Sequence, residues 1–171
     1  TLHPDGKDCG NGVRFAQGGK GLLVRQMDRM TELRDEYKHL MRTDYGNRAR
    51  WDAMQYACKS LVASMYGVCG DAKYGMYHPQ VADAITFTSR QTLKKLRDCA
   101  KEVGWNTVYG HTDSIFVEGV EMDWERHVTA TLHKIETINE KMYPIEVQFE
   151  RYCNTMILMA KNRYAGNVVW T

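Results

Sequence analysis

Proline is scarce in this chain, 3 in 171 residues, and long apolar runs are missing. None approaches the roughly 18 consecutive apolar residues that a membrane-crossing helix needs. No charged-then-apolar leader precedes a cleavage site. Those absences point to a soluble, intracellular protein. Paired cysteines are lacking as well: Cys9, Cys58, Cys69, Cys99 and Cys153 are odd in number and widely spaced, with no C-x-x-C. That argues against a disulfide scaffold and against a structural zinc site. Cys58 and Cys99 fall inside helical patterns and read as small buried hydrophobes. Nor is there a large excess of charge, since 23 Lys/Arg against 21 Asp/Glu leave a formal +2.

What is present is globular. Hydrophobic residues make up 43% and charged residues 26%, a composition that excludes disorder. A chain of this length suits one domain or two small intergrown subdomains. Its first residue is Thr1 rather than methionine, which suggests a fragment, a processed product or trimmed numbering. The charge is unevenly distributed: residues 20–59 carry nine Lys/Arg against six Asp/Glu, residues 90–101 five against one, and residues 118–150 three against eight. Separate basic and acidic regions can hold a polyanion on one side; equally, they are what segregated solvated helix faces look like.

Residues 1–20, rich in Gly, Asp and Asn, read as loop. From Gly21 to Met41 the residues Leu23, Met27, Met30, Tyr37 and Met41 recur at helical spacing. Thr43–Asn47 reads as a tight connection and Arg48–Tyr66 as a second helix stopped at Gly67, so the two helices form an antiparallel hairpin. Residues 68–79 are loop or short strand, and Val81–Val103 is a third helix ended by Gly104. Asn106–Gly110 and Ser114–Gly119 are β-prone runs around His111-Thr112-Asp113, a hairpin reading. Residues 122–142 form a fourth amphipathic helix through Trp124, Val128, Leu132 and Ile135. After Pro144 come two or three strands, over Ile145–Arg151, Thr155–Ala160 and Arg163–Trp170. The order predicts an α+β fold with an antiparallel sheet.

Two features carry chemistry. Arg34 lies seven residues after Met27, close to the apolar stripe, with Lys38 one turn further. Across the hairpin, Gln55, Lys59, Ala63 and Tyr66 form a second stripe. Three cations on one concave side can hold a compact polyanion such as a triphosphate; the alternative is that their stems snorkel past the core edge to water. The second feature is Tyr109–Val117, where Asp113 sits at a tight turn between apolar strands. A rigidly held carboxylate suits a metal ligand, and an Asp that stabilises its own turn is the other reading. Zinc at His111 is disfavoured, because no second His or Cys stands at ligand spacing.

Tyr109-Gly110-His111-Thr112-Asp113-Ser114 resembles motif C of family B (α-like) DNA polymerases, tyrosine-glycine-aspartate-threonine-aspartate-serine. Lys59-Ser60-Leu61-Val62-Ala63-Ser64-Met65-Tyr66-Gly67 is similar to their motif B. Gly21-Leu22-Leu23 followed by Arg34-x-x-x-Lys38 resembles the first fingers helix, and Ala160-Lys161-Asn162-Arg163-Tyr164 the lysine-lysine-arginine-tyrosine segment near the primer terminus. Thr1–Gly6 resembles the loop just beyond motif A. The elements stand in family order across essentially the whole chain. The resemblance implies fingers at 21–67, the C-terminal part of the palm at 68–171, and a motif C hairpin at about 106–118. It assigns Arg34, Lys38 and Lys59 to the phosphates of the incoming dNTP, and Tyr66 and Gly67 to the underside of the nascent base pair. Asp113 becomes a ligand of two Mg2+ ions, with Glu150 a further acid near them. Lys161, Arg163 and Tyr164 are assigned to the primer of a primer-template DNA.

The chain departs from the family pattern at His111, Ala63 and Asn162, which replace an aspartate, an asparagine and a lysine. Motif A, with the other metal-binding aspartate, has no match here, and the N-terminal, exonuclease and thumb portions are missing. The two-metal site is therefore expected to be incomplete, and the chain inactive in isolation. Two functions follow. One is the fingers and palm piece of a template-directed DNA polymerase, in the nucleus or, in a prokaryote, the cytoplasm or nucleoid. The other is a catalytically degenerate DNA-binding or assembly module.

Overall fold

The computed structural model describes residues 2–118 and 124–170. The chain divides into two compact units, one ending at Thr88 and the other beginning at Ser89, inside a single long helix.

The first unit opens with strand β1 (Leu2–Asp8), paired antiparallel with the two-residue strand β2 (Arg14–Phe15). The expectation of a loop over 1–20 is corrected here. Asp8 Oδ1 accepts hydrogen bonds from the amides of Gly10 at 2.7 Å and Gly12 at 3.1 Å, closing a turn that folds β1 onto β2. Both glycines take positive φ, +94° and +83°, which a side chain would disfavour. At Gly6 a Cβ would lie 2.2 Å from the Phe15 carbonyl oxygen, so only glycine permits that close approach.

Helices α1 (Leu22–Thr43) and α2 (Arg48–Gly70) form the expected hairpin, joined through Asp44 and a 3₁₀ turn, Tyr45–Asn47. On α2 the inward seam runs through Trp51, Met54, Cys58, Val62, Met65 and Cys69, with Cys58 and Cys69 buried. On α1 the half-buried face includes Leu33 and Leu40, whereas Met27, expected in the stripe, is exposed. Tyr37 stacks on Trp51 with centroids 6.0 Å apart. Asp44 fastens the connection by accepting from the Trp51 indole and the Asn47 amide, each at 3.0 Å. The second helix does not stop at Gly67 as expected. Continuing to Gly70 buries Cys69, whose carbonyl accepts from the His78 amide at 2.9 Å, offsetting the roughly 1 kcal/mol that an interior glycine costs a helix. Residues 71–78 are loop.

Helix α3 (Pro79–Glu102) leads into the second unit and ends where Gly104 takes φ +82°. There Trp105 N–H donates to the Ala100 carbonyl at 2.9 Å, a left-handed C-terminal cap. Strands β3 (Asn106–His111) and β4 (Ser114–Glu118) form the expected antiparallel hairpin. Helix α4 (Trp124–Met142) follows, and Leu96 and Cys99 of α3 pack with Ile138 and Met142 of α4 as the core. Val103, Trp105, Ile115 and Val147 pack around that cluster. The side chains of Trp124 and Val128, expected on the apolar face of α4, lie outside the described residues.

The strand expected over Ile145–Arg151 is absent. Asn139 of α4 occupies the backbone of Val147 instead, accepting from its N–H at 2.6 Å and donating to its carbonyl at 3.0 Å. A backbone so satisfied has little to gain from a ladder at that point. Strands β5 (Tyr152–Ala160) and β6 (Arg163–Trp170) form the last hairpin. The fold is α+β with antiparallel pairing, as expected, but the described strands make three two-stranded sheets rather than one sheet.

Asp44 gives this account a pH test. The hydrogen bond from Asn47, then that from Trp51, hold its carboxyl below the ordinary value of 3.8. A folded-state value below the unfolded one stabilises the hairpin above the unfolded value and loses that contribution as pH falls through the lowered one. Trp51 fluorescence followed from neutral pH into acid should show the connection loosening below roughly pH 4. In Asp44→Asn that step should be missing; an identical acid transition in the variant would contradict the assignment.

Candidate functional site

The residues singled out by the sequence fall into two groups, one in each unit. In the first unit Lys38 directly follows Tyr37, and Lys59 directly follows buried Cys58. Each lies about 100° around its helix from a seam residue. In two antiparallel right-handed helices the same sense of rotation leads to the same side, so Lys38 and Lys59 share a flank of the hairpin. Arg34, one turn before Lys38, stands at the edge of the seam on that flank.

The three cations differ in their surroundings. Arg34 is half-buried, and its Nε is buried without a hydrogen-bond partner. Burying an unsatisfied donor of a charged group is costly, which makes this nitrogen the strained element of the flank. Lys38 lies 3.6 Å from Asp35, a long ion pair between exposed groups that contributes little. Lys59 is exposed and has no ion-pair partner among the described residues. Further along α2, Ala63, Tyr66 and Gly67 are all exposed or half-exposed. The arrangement offers positive charge and a flat aromatic side chain to solvent on one helical hairpin.

In the second unit, His111 and Ser114 pair across the end of β3 and β4, leaving Thr112 and Asp113 as the turn. Asp113 N–H donates to the His111 carbonyl at 2.7 Å, closing a three-residue turn centred on Thr112 at φ +52°. A β-branched residue in that region is strained, and such turns are rare. Ser114 Oγ donates to the same carbonyl at 3.2 Å, and Thr112 Oγ1 lies 3.2 Å from His111 Nδ1. Asp113 is exposed at the apex, its backbone fixed from both sides.

Behind the turn is a ring cluster. Tyr109 stacks with His111 at 6.4 Å and lies 5.8 Å from Phe116 and 6.1 Å from Tyr164; Phe116 and Tyr164 meet edge to face at 5.0 Å. These rings join the β3–β4 hairpin to the β5–β6 hairpin, whose turn carries Lys161 and Asn162 and whose second strand begins at Arg163. Sequence reading missed Tyr109 as a structural link. The signal was Asn162, a residue tolerant of positive φ between two β-prone runs. Glu150 is not on a strand, contrary to expectation; its carboxylate accepts from Arg151 Nη2 at 2.8 Å.

Among the described residues no group of three or more His, Cys, Asp or Glu side chains is placed to hold a metal ion. Magnesium requires a near-octahedral set of oxygens, and Asp113 with a neighbouring imidazole does not supply one.

A family description, DNA polymerase family B, matches residues 7–171. The DNA polymerase alpha catalytic subunit of Mus musculus is 28% identical over 153 residues, 87% of this chain and 10% of that protein. Its counterpart in Saccharomyces cerevisiae is 28% identical over 152 residues, 88% of this chain and again 10% of the relative. A DNA polymerase of Archaeoglobus fulgidus is 26% identical over 161 residues, 91% of this chain and 20% of the relative. The chain thus spans a tenth to a fifth of the length of these relatives.

The strained turn makes a testable statement. Thr112→Gly removes the side chain that disfavours φ +52° and should raise stability by about 1 kcal/mol, or a few degrees in thermal midpoint. Thermal unfolding followed by circular dichroism checks this, and a lowered midpoint would show that the turn is not strained.

Proposed function

We propose, since this chain belongs to DNA polymerase family B, that it serves a polymerase which transfers a nucleotide from a dNTP to a primer 3′ end under template direction. In this reading residues 21–67, which make up most of the α1–α2 hairpin, are the fingers, and residues 68–171 are the C-terminal part of the palm. Arg34, Lys38 and Lys59 neutralise the triphosphate. Tyr66 and Gly67 support the nascent base pair from below. Lys161, Arg163 and Tyr164 contact the primer strand.

The observation that carries the reading is the cationic flank of the hairpin. Phosphoryl transfer asks a protein for charge neutralisation and in-line positioning more than for covalent chemistry. Cations drawn to one flank of two packed helices suit that demand. Lys59, exposed and without an ion-pair partner among the described residues, is the one most open to a phosphate. Arg34 stands half-buried at the edge of the same flank, where its charge adds to that of the two lysines.

Asp113 provides one carboxylate at a rigid apex. Any magnesium set in the whole polymerase needs more donors than Asp113: Glu150 is a candidate further acid, and the others come from outside the described residues. His111 in place of a carboxylate lowers the negative charge of the turn, and a protonated imidazole would oppose a cation there. The replacements at His111, Ala63 and Asn162 favour a second reading, a polymerase-derived module that binds DNA without catalysing extension. Both readings share the family, and they part on whether the full-length protein extends a primer.

Single-turnover incorporation by the full-length protein separates them. Lys59→Ala should raise the dNTP concentration for half-maximal rate about 10- to 100-fold, equivalent to about 1.5–3 kcal/mol for a lost hydrogen bond to a charged group. Asp113→Asn should slow the step by about a hundredfold or more, while His111→Asp leaves it unchanged or faster. Near-normal incorporation by Asp113→Asn would contradict the role given to that carboxylate. Absence of extension by the unmodified protein would favour the non-catalytic reading.

A further inference from the structure

The hydroxyl of Tyr109 makes two hydrogen bonds to one distant residue. It accepts from the backbone N–H of Asn162 at 2.9 Å and lies 3.2 Å from Asn162 Oδ1, to which it donates. Asn162 is in the turn of the β5–β6 hairpin and holds φ +64°, a left-handed conformation uncommon outside glycine. Ala160 and Arg163 pair on either side of that turn, so the two bonds grip its middle. The Tyr109 ring is itself held by His111, Phe116 and Tyr164.

We propose that Tyr109 is a positioning residue, its hydroxyl clamping the Asn162 turn so that Lys161 and Arg163 are held in fixed register with the Asp113 turn. Asparagine suits this position in a way lysine does not. A lysine side chain has no acceptor for the tyrosine proton, whereas the asparagine carbonyl supplies one and the residue tolerates positive φ. The departure at Asn162 therefore exchanges a mobile cation for a second bond to Tyr109. Because both bonds end on the residue between Lys161 and Arg163, losing them frees the two cations that flank it. The functional half of this inference rests on the primer-contact reading of Lys161 and Arg163.

Two measurements on the full-length protein test the clamp and its use separately. Tyr109→Phe keeps the ring and removes the hydroxyl. Amide hydrogen exchange at Asn162 should then speed up about tenfold, in line with one lost hydrogen bond. Fluorescence anisotropy with a labelled primer-template should show about three- to tenfold weaker binding. The slope of log affinity against log salt should fall by about one for each phosphate no longer bound, a change that a general loss of stability would not produce. Lys161→Ala should lower the slope by itself, and less so in the Tyr109→Phe background. Unchanged exchange at Asn162 would overturn the clamp. Faster exchange with an unchanged slope, where Lys161→Ala does lower it, would overturn the positioning role. If neither Lys161→Ala nor Arg163→Ala alters binding, the primer-contact reading falls and the positioning role with it, while the exchange rate still reports the clamp.

Discussion

The seam between α1 and α2 is the constraint from which the cationic flank follows. Cys58 and Cys69 are buried along it and Tyr37 lies against Trp51, which fixes how each helix is turned about its own axis. Once that rotation is fixed, the residues next to the seam have no freedom of side. Lys38 follows Tyr37 and Lys59 follows Cys58, so the antiparallel pairing alone brings them to one flank. A one-residue shift in either helix would carry its lysine into the seam or away from its partner. Asp44 guards against such a shift at the connection, where it binds Asn47 and Trp51 together.

The second unit uses a different device. Its core of Leu96, Cys99, Ile138 and Met142 takes in Ile115 of β4, which anchors the hairpin behind Asp113. The strained Thr112 turn, the ring cluster and the Tyr109–Asn162 bonds then transmit that anchorage to the β5–β6 turn. Backbone geometry, more than buried charge, keeps the exposed polar groups in place. The backbone of the Asp113 turn and that of the Asn162 turn are thus linked through Tyr109.

Much of this was legible in the sequence, for physical reasons that differ by element. The four helices announce themselves because apolar spacing repeated over about twenty residues is hard to produce otherwise. The β3–β4 hairpin is legible because two β-prone runs flank a short polar turn. The misses have different causes, one a local turn and the others partners further along the chain. The β1–β2 turn is closed by Asp8 reaching two glycine amides, and nothing in the alternation of residues 1–20 signals it. Helix α2 passes Gly67 because burying Cys69 outweighs a local propensity. The strand expected after Pro144 is forestalled by Asn139, on the preceding helix. At the candidate site Arg34, Lys38, Lys59 and Asp113 stood out by their spacing and their roles came from the family resemblance, whereas the bonds between Tyr109 and Asn162, 53 residues apart, emerged only in three dimensions.

The hairpin flank is proposed to receive a nucleotide triphosphate. Lysine-reactive footprinting of the full-length protein on primer-template, with and without the complementary dNTP, tests it most directly. Lys38 and Lys59 should lose reactivity together when the correct dNTP is present, and keep it with the nucleoside lacking phosphates. Unchanged reactivity at Lys59 under saturating dNTP would contradict the account.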